Sequence, residues 1–249
     1  MKYNILVMPH IELAAEKLFE IFGMPVTNTL LTAWIVVGLL AVVAVLIYRR
    51  VSLVPAFLQN ILEIVIEKFV DTMEGLFGSK EKAEKYFPVV ATIFLFVLLS
   101  NWLGILPGIG SITFEGDHGE VPLFRSAASD LNFTLALAVS SVLLINIFGV
   151  AALGVWKHIG KFISFKGPID FFVGILELIS EVAKMISFAF RLFGNVFAGE
   201  VLLVITAFLI PYFIPVPFLM LEIFVGFIQA LVFSMLTMVF ISIAVAEHH

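Results

Sequence analysis

The fold of this chain is decided by one uninterrupted apolar stretch, residues 169–210, which reads IDFFVGILELISEVAKMISFAFRLFGNVFAGEVLLVITAFLI. Because it contains no proline and no cluster of turn residues, it predicts a single helix. At about 1.5 Å per residue this helix would be about 60 Å long, twice the thickness of the hydrocarbon core of a bilayer. We therefore expect it to tilt steeply, to bend or to lie in the membrane plane. Pro211 and two further prolines end it, and residues 218–246 are predicted to return as the second long helix of a hairpin.

The composition is typical of a membrane protein with several spanning helices. Of the 249 residues, 61% are hydrophobic and 13% are charged, whereas an average soluble domain has about 45–50% apolar and about 25% charged residues. The absence of cysteine excludes disulfides, iron–sulfur clusters and thiolate zinc sites. The five histidines show no metal-ligand spacing, so we expect no metal and no cofactor. No basic run with interleaved aromatic residues indicates a nucleic-acid partner.

The remaining segments predict an all-α polytopic membrane fold with a single membrane domain, 1–249. A spanning helix needs about 20 mostly apolar residues, and three further segments meet this requirement: 27–48, 87–106 and 131–156. With the hairpin they give about five membrane passes. In residues 55–77 four acids recur at helical spacing among apolar residues, which is typical of an amphipathic helix lying at the membrane interface. These acids are Glu63, Glu67, Asp71 and Glu74.

The connecting segments indicate the orientation in the membrane. Residues 1–22 lack the apolar core and the cleavage site of a signal peptide, and they predict a short surface helix. Residues 79–85 predict a charged linker, and residues 115–130 predict a polar loop. Cytoplasmic loops carry an excess of Lys and Arg. The basic segments after the first spanning helix and before the hairpin are therefore inside, and the loop that is acidic apart from Arg125 is outside. We expect the N-terminal segment, 1–26, outside and the C-terminus in the cytoplasm. No internal repeat of the kind that builds many secondary transporters is visible.

Ionisable side chains are concentrated in the hairpin, although a charge at the bilayer centre costs about 2.5 to more than 10 kcal/mol. At about 100° per residue, six polar side chains of its first helix share one narrow stripe, which must face protein or water. They are Glu177, Ser180, Lys184, Ser187, Arg191 and Asn195. Glu200 lies on the opposite face from Arg191, where we expect it to meet the second helix. There Glu222 and Gln229 share a face, with Gly226 between them.

Arg191 is the strongest candidate for a functional charge. It lies far from both ends of its segment, and its nearest acids along the helix, Glu181 and Glu200, are off its stripe. A permanent cation at that depth needs a compensating carboxylate, which we expect on another chain. A purely structural salt bridge is the alternative.

The other charged residues of the hairpin also have structural interpretations. Lys184 could extend toward an interface, and Glu177 and Glu181 could be ordinary interfacial acids. Glu200 and Glu222 are either a structural carboxyl pair that shares a proton or members of a proton relay.

The run from Ser187 to Glu200, SFAFRLFGNVFAGE, closely resembles the signature of subunit a of F-type ATP synthases. Residues 126–132, SAASDLN, resemble the segment before the fourth helix of that family, and 228–233, IQALVF, with the terminal EHH resemble its last helix and tail. The resemblance extends over nearly the whole chain from about Phe87 onward, and the first helix and the amphipathic segment follow the family's order.

The resemblance implies a proton-translocating stator subunit of the membrane (Fo) sector that is not catalytic by itself. Arg191 would face the carboxylate of each c subunit as a rotating ring passes, drive its deprotonation and separate two offset half-channels. The residues implied for the outer half-channel are Asn195, Glu200, Glu222 and Gln229. Those implied for the inner one are Glu177 and, less directly, Ser180, Lys184 and Ser187. Position 222 is histidine in some members of the family, whereas here it is a second acid, so the relay order between Glu200 and Glu222 stays open.

The resemblance also implies the surroundings of the subunit. Its partners would be the c-ring, the peripheral-stalk b subunits, other ATP synthase subunits and the lipid bilayer, in a bacterial inner membrane. The default coupling ion is H⁺, with Na⁺ as the alternative, because the ring sets the selectivity. A stand-alone ion channel or secondary transporter is the alternative function, and a membrane scaffold is a third. A lone transporter would explain the buried charges but not the unpaired arginine or the absence of repeats.

Overall fold

The computed structural model describes residues 14–50, 57–106, 112–116, 119–162, 167–210 and 213–246. Within these ranges the chain forms α-helices and two short β-hairpins. The helices are α1 Asn28–Arg50, α2 Phe57–Phe77, α3 Lys80–Ile105, α4 Leu131–Leu153, α5 Val155–Phe162, α6 Pro168–Leu209 and α7 Pro215–Val245. The strands are β1 Lys17–Ile21, β2 Met24–Thr27, β3 Thr113–Gly116 and β4 Gly119–Pro122.

Five of these helices are long and apolar enough to cross a membrane, namely α1, α3, α4, α6 and α7. This confirms the expected all-α polytopic fold with about five passes. The last two helices have 42 and 31 residues, or about 63 and 46 Å at the rise of an α-helix. They pack against each other and against α4, so they form the long hairpin that the sequence predicts.

The charged linker expected at 79–85 is wrong, because α3 already begins at Lys80. The segment is rich in Lys, Glu and Ala, which are good helix formers, and it gains packing that a solvent-exposed linker would not have. Ala83 and Tyr86 are buried in a core cluster that also contains Met73 of α2 and Met238 of α7.

The third predicted spanning segment, 131–156, is divided in two. Asp130 caps α4 by accepting a hydrogen bond from the backbone N–H of Asn132. The helix ends at Leu153 because Gly154 adopts a φ of +85°, a conformation that glycine takes at little cost. The chain then reverses into the short helix α5, which hydropathy alone does not separate from α4.

The surface helix expected at 1–22 is wrong over its described part. Strand β1 pairs antiparallel with β2 through a turn at Phe22 and Gly23, which have φ values of 52° and 78°. Two successive positive φ values match the twist of a tight hairpin. The polar loop likewise contains the β3–β4 hairpin and a short 3₁₀ turn, Ala127–Ser129. The expected end of the second spanning helix near Leu106 is confirmed, because α3 ends at Ile105. Residues 1–13, 107–111, Pro211 and the terminal 247–249 lie outside the described residues.

The core determines which face of α6 is turned outward. Phe188 and Leu192 of α6 pack with Phe94 of α3 and Phe233 of α7 in one cluster of buried side chains. Because this face of α6 is committed to the core, the polar stripe that contains Arg191 lies on the surface of the chain.

Candidate functional site

Arg191 lies near the middle of α6 on its outward face. Ser187, Arg191 and Asn195 are all exposed. A guanidinium nitrogen of Arg191, Nη2, donates to the hydroxyl of Ser187 one turn earlier at 3.2 Å. No carboxylate of the described residues lies within ion-pair distance of this arginine. The described part of the chain therefore presents a permanent cation without supplying its counter-charge.

The N-terminal half of the stripe is held by an ion pair within α6. Lys184 Nζ donates to Glu181 Oε1, and the same ammonium lies 4.9 Å from the ring centroid of Phe240 in α7. The second carboxylate oxygen of Glu181 accepts a hydrogen bond from Asn146 Nδ2 of α4 at 3.2 Å. Lys184 is therefore tied to its neighbours in the helix bundle and does not extend along α6 toward an interface.

The loop before α4 reaches the C-terminal half of α6 through an ion pair. Arg125 Nε lies 2.9 and 3.3 Å from the two carboxylate oxygens of Glu200, and Arg125 Nη1 donates to the carbonyl of Ala14 at 3.2 Å. The Arg125 side chain is 8% exposed and that of Glu200 is 33% exposed. Glu200 is thus paired with a loop residue, whereas its position on the helix predicted contact with α7.

This ion pair is possible because the loop is inserted among the helices. The 3₁₀ turn Ala127–Ser129 is buried and packs against α6. Ser126 contacts α3 so closely that a Cβ at Gly104 would lie 2.3 Å from the Ser126 Cβ. The hydroxyl of Ser126 donates a hydrogen bond to the carbonyl of Ser100 at 3.0 Å. The glycine therefore allows the loop to approach α3 and to place Arg125 beside Glu200.

Glu222 of α7 is buried, with 6% exposure, where the two hairpin helices touch. Its carboxyl lies directly against Gly199 of α6, since a Cβ at that position would be 1.7 Å from Glu222 Oε1. Within the described ranges no hydrogen bond joins Glu222 to Glu200. The two acids lie on the same side of Arg191, but the structure does not show them as a directly bonded pair.

Asn195 and Gln229 are brought together between α6 and α7, where Asn195 Nδ2 donates to Gln229 Oε1 at 2.8 Å. Gln229 Nε2 is buried and has no hydrogen-bond partner in the described structure, as is also true of Ser100 Oγ and Asn101 Oδ1 in α3. Asn101 Nδ2 donates to the carbonyl of Gly226 at 3.0 Å, one helical turn before Gln229. Buried polar atoms in proteins normally bond to protein or to ordered water. Each of these buried atoms is therefore a position where an ordered water would complete the hydrogen bonding.

Several residues of this arrangement were not predicted as site residues. A lone basic residue in an acidic loop was the available signal for Arg125, and polar side chains inside apolar helices were the signal for Asn101 and Asn146. No sequence pattern indicated which partners they would meet. Of the predicted stripe, Glu177 is half-buried and Ser180 is exposed.

Comparison with known proteins identifies the family of the chain. A family model described as ATP synthase A chain matches residues 30–242, from the first turn of α1 almost to the end of α7. The chain belongs to the ATP synthase A chain family. Arg191, the Arg125–Glu200 pair, Glu222 and the Asn195–Gln229 pair all lie within the matched region. With its five apolar helices, this member of the family is a multi-pass membrane protein.

Individual relatives cover most of the chain. ATP synthase subunit a of Moorella thermoacetica is 32% identical over 232 residues, which are 93% of this chain and 97% of the relative. ATP synthase subunit a 1 of Syntrophotalea carbinolica is 35% identical over 87% of this chain and 85% of its own length. Subunit a of Campylobacter fetus is 34% identical over 89% of this chain and 92% of its own length.

Proposed function

We propose that this chain is the stator subunit of the membrane sector of an F-type ATP synthase, and that it conducts protons to and from a rotating ring of c subunits. The observation that carries this proposal is Arg191. It is an exposed cation at the middle of a membrane-length helix, and the described part of its own chain offers it no carboxylate. The names of the relatives, ATP synthase subunit a, support the same assignment.

The charge on Arg191 accounts for both steps of ion exchange at the ring. A bare carboxylate on a ring that faces lipid is very costly, so it travels protonated. Opposite Arg191 the ionised form is stabilised by the opposite charge, and the proton is released. Arginine suits this role because it does not deprotonate in proteins and spreads its charge over several donors. It therefore blocks a direct proton path between the two half-channels without relaying protons itself.

The outer half-channel is formed by Glu200, Glu222, Gln229 and Asn195. The ion pair with Arg125 supports the outer assignment, because Arg125 belongs to the loop that the distribution of basic residues places outside. From Glu200 the polar groups continue through Glu222 beside Gly199 to the Asn195–Gln229 pair, which lies one turn from Arg191. The unpartnered polar atoms around Gln229 support a hydrated path at this point.

The inner half-channel is formed by the stripe on the other side of Arg191. Its members are Glu177, Ser180, Lys184 and Ser187. The hydrogen bond from Arg191 to Ser187 joins the gate to this stripe. The short helix α5 packs against the start of α6, where the carbonyl of Phe162 lies beside Gly174. Its basic residues Lys157 and Lys161 favour an inside position.

The energy available from each ion determines how many ions must pass for each ATP. A transmembrane potential supplies about 2.3 kcal/mol per elementary charge per 100 mV. Several ions must therefore pass Arg191 for each ATP made elsewhere in the complex. The subunit is non-catalytic, works with the c-ring and the peripheral-stalk b subunits, and resides in a bacterial inner membrane with its N-terminus outside.

Replacement of Arg191 tests this function. In the whole complex reconstituted into vesicles, Arg191→Ala is expected to reduce ATP-driven proton pumping on the order of 100-fold, as when a key electrostatic group is removed from an active site. Arg49→Ala is the matched control, because Arg49 is an exposed arginine at the end of α1, and it should pump at the parental rate. Coupled pumping that survives in Arg191→Ala would refute the gate. Copurification of a small two-helix subunit separates this function from that of a lone transporter.

A further inference from the structure

A chain of hydrogen bonds links the short helix α5 to the inner half of α6. His158 of α5 is 5% exposed, and its Nε2 lies 2.9 Å from Asn146 Oδ1 of α4. The amide nitrogen of Asn146 donates to the backbone carbonyl of Val142 at 2.9 Å and to Glu181 Oε2 at 3.2 Å. Glu181 in turn bonds to Lys184. Four polar side chains thus connect α5, through α4, to a residue of the proposed inner half-channel.

The chain defines the protonation state of His158. Because the amide nitrogen of Asn146 already donates twice, its Oδ1 accepts, and His158 Nε2 must carry the hydrogen. The other ring nitrogen, Nδ1, is then a bare acceptor, and it is buried without a hydrogen-bond partner among the described residues. A Cβ at Gly149 would lie 2.7 Å from Nδ1. A second proton would therefore create a buried cationic N–H beside Gly149, and no acceptor of the described residues lies within hydrogen-bond distance of it.

The charges around His158 also favour the neutral ring. Burial lowers the pKa of His158 below its ordinary 6.5, and the positive charge of Lys161 lowers it further, while Glu181 acts in the opposite direction. Helices α4 and α6 make the most extensive contacts with α5, and α7 brings the carbonyl of Ala244 close to Gly149, which faces the ring. Helix α7 carries one ionisable residue, Glu222 near its start. Helix α4 carries no ionisable residue. Helix α6 presents Glu181 and its partner Lys184, with Asp170 and Glu177 nearer its start, and α5 itself adds Lys157.

We propose that α5 is a latch: in its closed state the chain His158–Asn146–Glu181 positions Lys184 in the inner half-channel, and this state holds only while His158 is neutral. His158 is a positioning residue on this view and does not exchange protons with the ring. The inference rests on the proposed function only in assigning Lys184 to the inner path.

The direction of the pH effect follows from the lowered pKa. Well above pH 6.5 His158 is neutral whether the latch is closed or open, so the closed state keeps its full stability. As the cytoplasmic pH falls below 6.5, the open state gains a proton that the closed state resists. The closed state is therefore lost as the pH falls through the lowered pKa. The ion path is then expected to slow when the cytoplasmic side becomes acidic.

Two substitutions at one position separate this mechanism from a general packing role. In His158→Gln the side-chain amide can still donate to Asn146 Oδ1 but cannot titrate, whereas in His158→Phe the donor is lost. Lys157→Gln is the matched control, because Lys157 is exposed on the same helix. The whole complex is placed in inverted vesicles, so that the bath sets the cytoplasmic pH. ATP-driven pumping is divided by the rate of ATP hydrolysis in the same vesicles, which removes the pH dependence of the hydrolytic sector.

At pH 7.5 the parental complex, His158→Gln and Lys157→Gln are expected to pump equally, and His158→Phe about two- to tenfold more slowly, the range for loss of one hydrogen bond. Between pH 7.5 and 5.5 the normalised rate should fall in the parental complex and stay level in His158→Gln. An equal fall in both would overturn the latch. If His158→Phe does not assemble, the comparison of the parental complex with His158→Gln decides alone. The variant Lys184→Gln separates the two proposals. If it pumps at the parental rate, Lys184 does not belong to the inner half-channel. If it pumps more slowly but pumping by the parental complex does not change with pH, only the latch is contradicted.

Discussion

The two arginines nearest the proposed ion path lie in opposite environments. Arg125 is buried, contacts both carboxylate oxygens of Glu200 and donates to the carbonyl of Ala14. Arg191 is exposed, and among the described residues it makes one hydrogen bond, to the hydroxyl of Ser187. One cation is thus paired within its own chain, and the other has no carboxylate partner among the described residues. Burial and pairing give the charge of Arg125 structural weight, whereas an exposed cation near the middle of a long apolar helix supports the proposal that its partner lies on another molecule.

The energetic consequences of the two positions differ in kind. Removing one member of a buried ion pair leaves its partner uncompensated, which is strongly destabilising. Removing an exposed side chain with one hydrogen bond changes the stability of the subunit by a few tenths of a kcal/mol. If the proposed function is correct, Arg125 matters more for the stability of the subunit and Arg191 matters more for transport.

The largest effect on stability is expected at Arg125. Arg125→Gln should lower the free energy of unfolding by about 3 kcal/mol, at the lower end of the range for broken buried pairs because Glu200 keeps some contact with solvent. Arg191→Gln should leave it within about 0.5 kcal/mol of the parental value. Thermal unfolding of the two purified variant complexes in detergent measures the difference. Equal losses of stability at the two positions would mean that the contrast between them is false.

A double substitution tests whether Arg125 acts through Glu200. If the unpaired carboxylate causes most of the loss, Arg125→Gln combined with Glu200→Gln should recover about 1–2 kcal/mol relative to Arg125→Gln alone, because no uncompensated charge remains. The same thermal measurement on both single variants and the double variant gives this coupling. Strictly additive losses would show that Arg125 stabilises the loop mainly through Ala14 and packing.

Much of the fold was predictable because apolar length dominates in a membrane protein. The absence of proline between residues 169 and 210 sufficed to predict α6, and the prolines at 211, 215 and 217 sufficed to predict the turn between the two hairpin helices. Local backbone features were not predictable in the same way. The end of α4 depends on the positive φ of Gly154, and the β1–β2 hairpin depends on a turn at Phe22 and Gly23. Neither position stands out from the many other glycines and apolar residues of the chain.

In the candidate site, the positions of residues along one helix were predictable from the sequence, whereas contacts between different elements were not. The stripe of α6 that carries Arg191 followed from helical periodicity. In the structure Arg191 is exposed, and the neighbouring residues Phe188 and Leu192 are packed in the core. The partner of Glu200 did not follow, because Arg125 lies 75 positions earlier in the sequence, in a loop whose path depends on close contact with Gly104. Periodicity constrains contacts along one helix, whereas contacts between a loop and a helix depend on the assembled fold.

The smallest expected effect probes the region between the two arginines, where Glu222 meets Gly199. In Gly199→Ala the new methyl group would occupy the place of the Glu222 carboxyl, which is the end of a flexible side chain and can rotate away. Stability should change little, because alanine gains about 1 kcal/mol of helix propensity to offset the displacement. Proton pumping should fall about two- to fivefold, since a small misplacement of one relay group slows transfer. Gly38→Ala is the matched control, because nothing lies within 4 Å of a Cβ there. If Gly199→Ala pumps at the parental rate, the outer half-channel does not depend on the position of the Glu222 carboxyl. Only the pairing of Glu200 with Arg125 would then distinguish the outer side of Arg191 from the inner side.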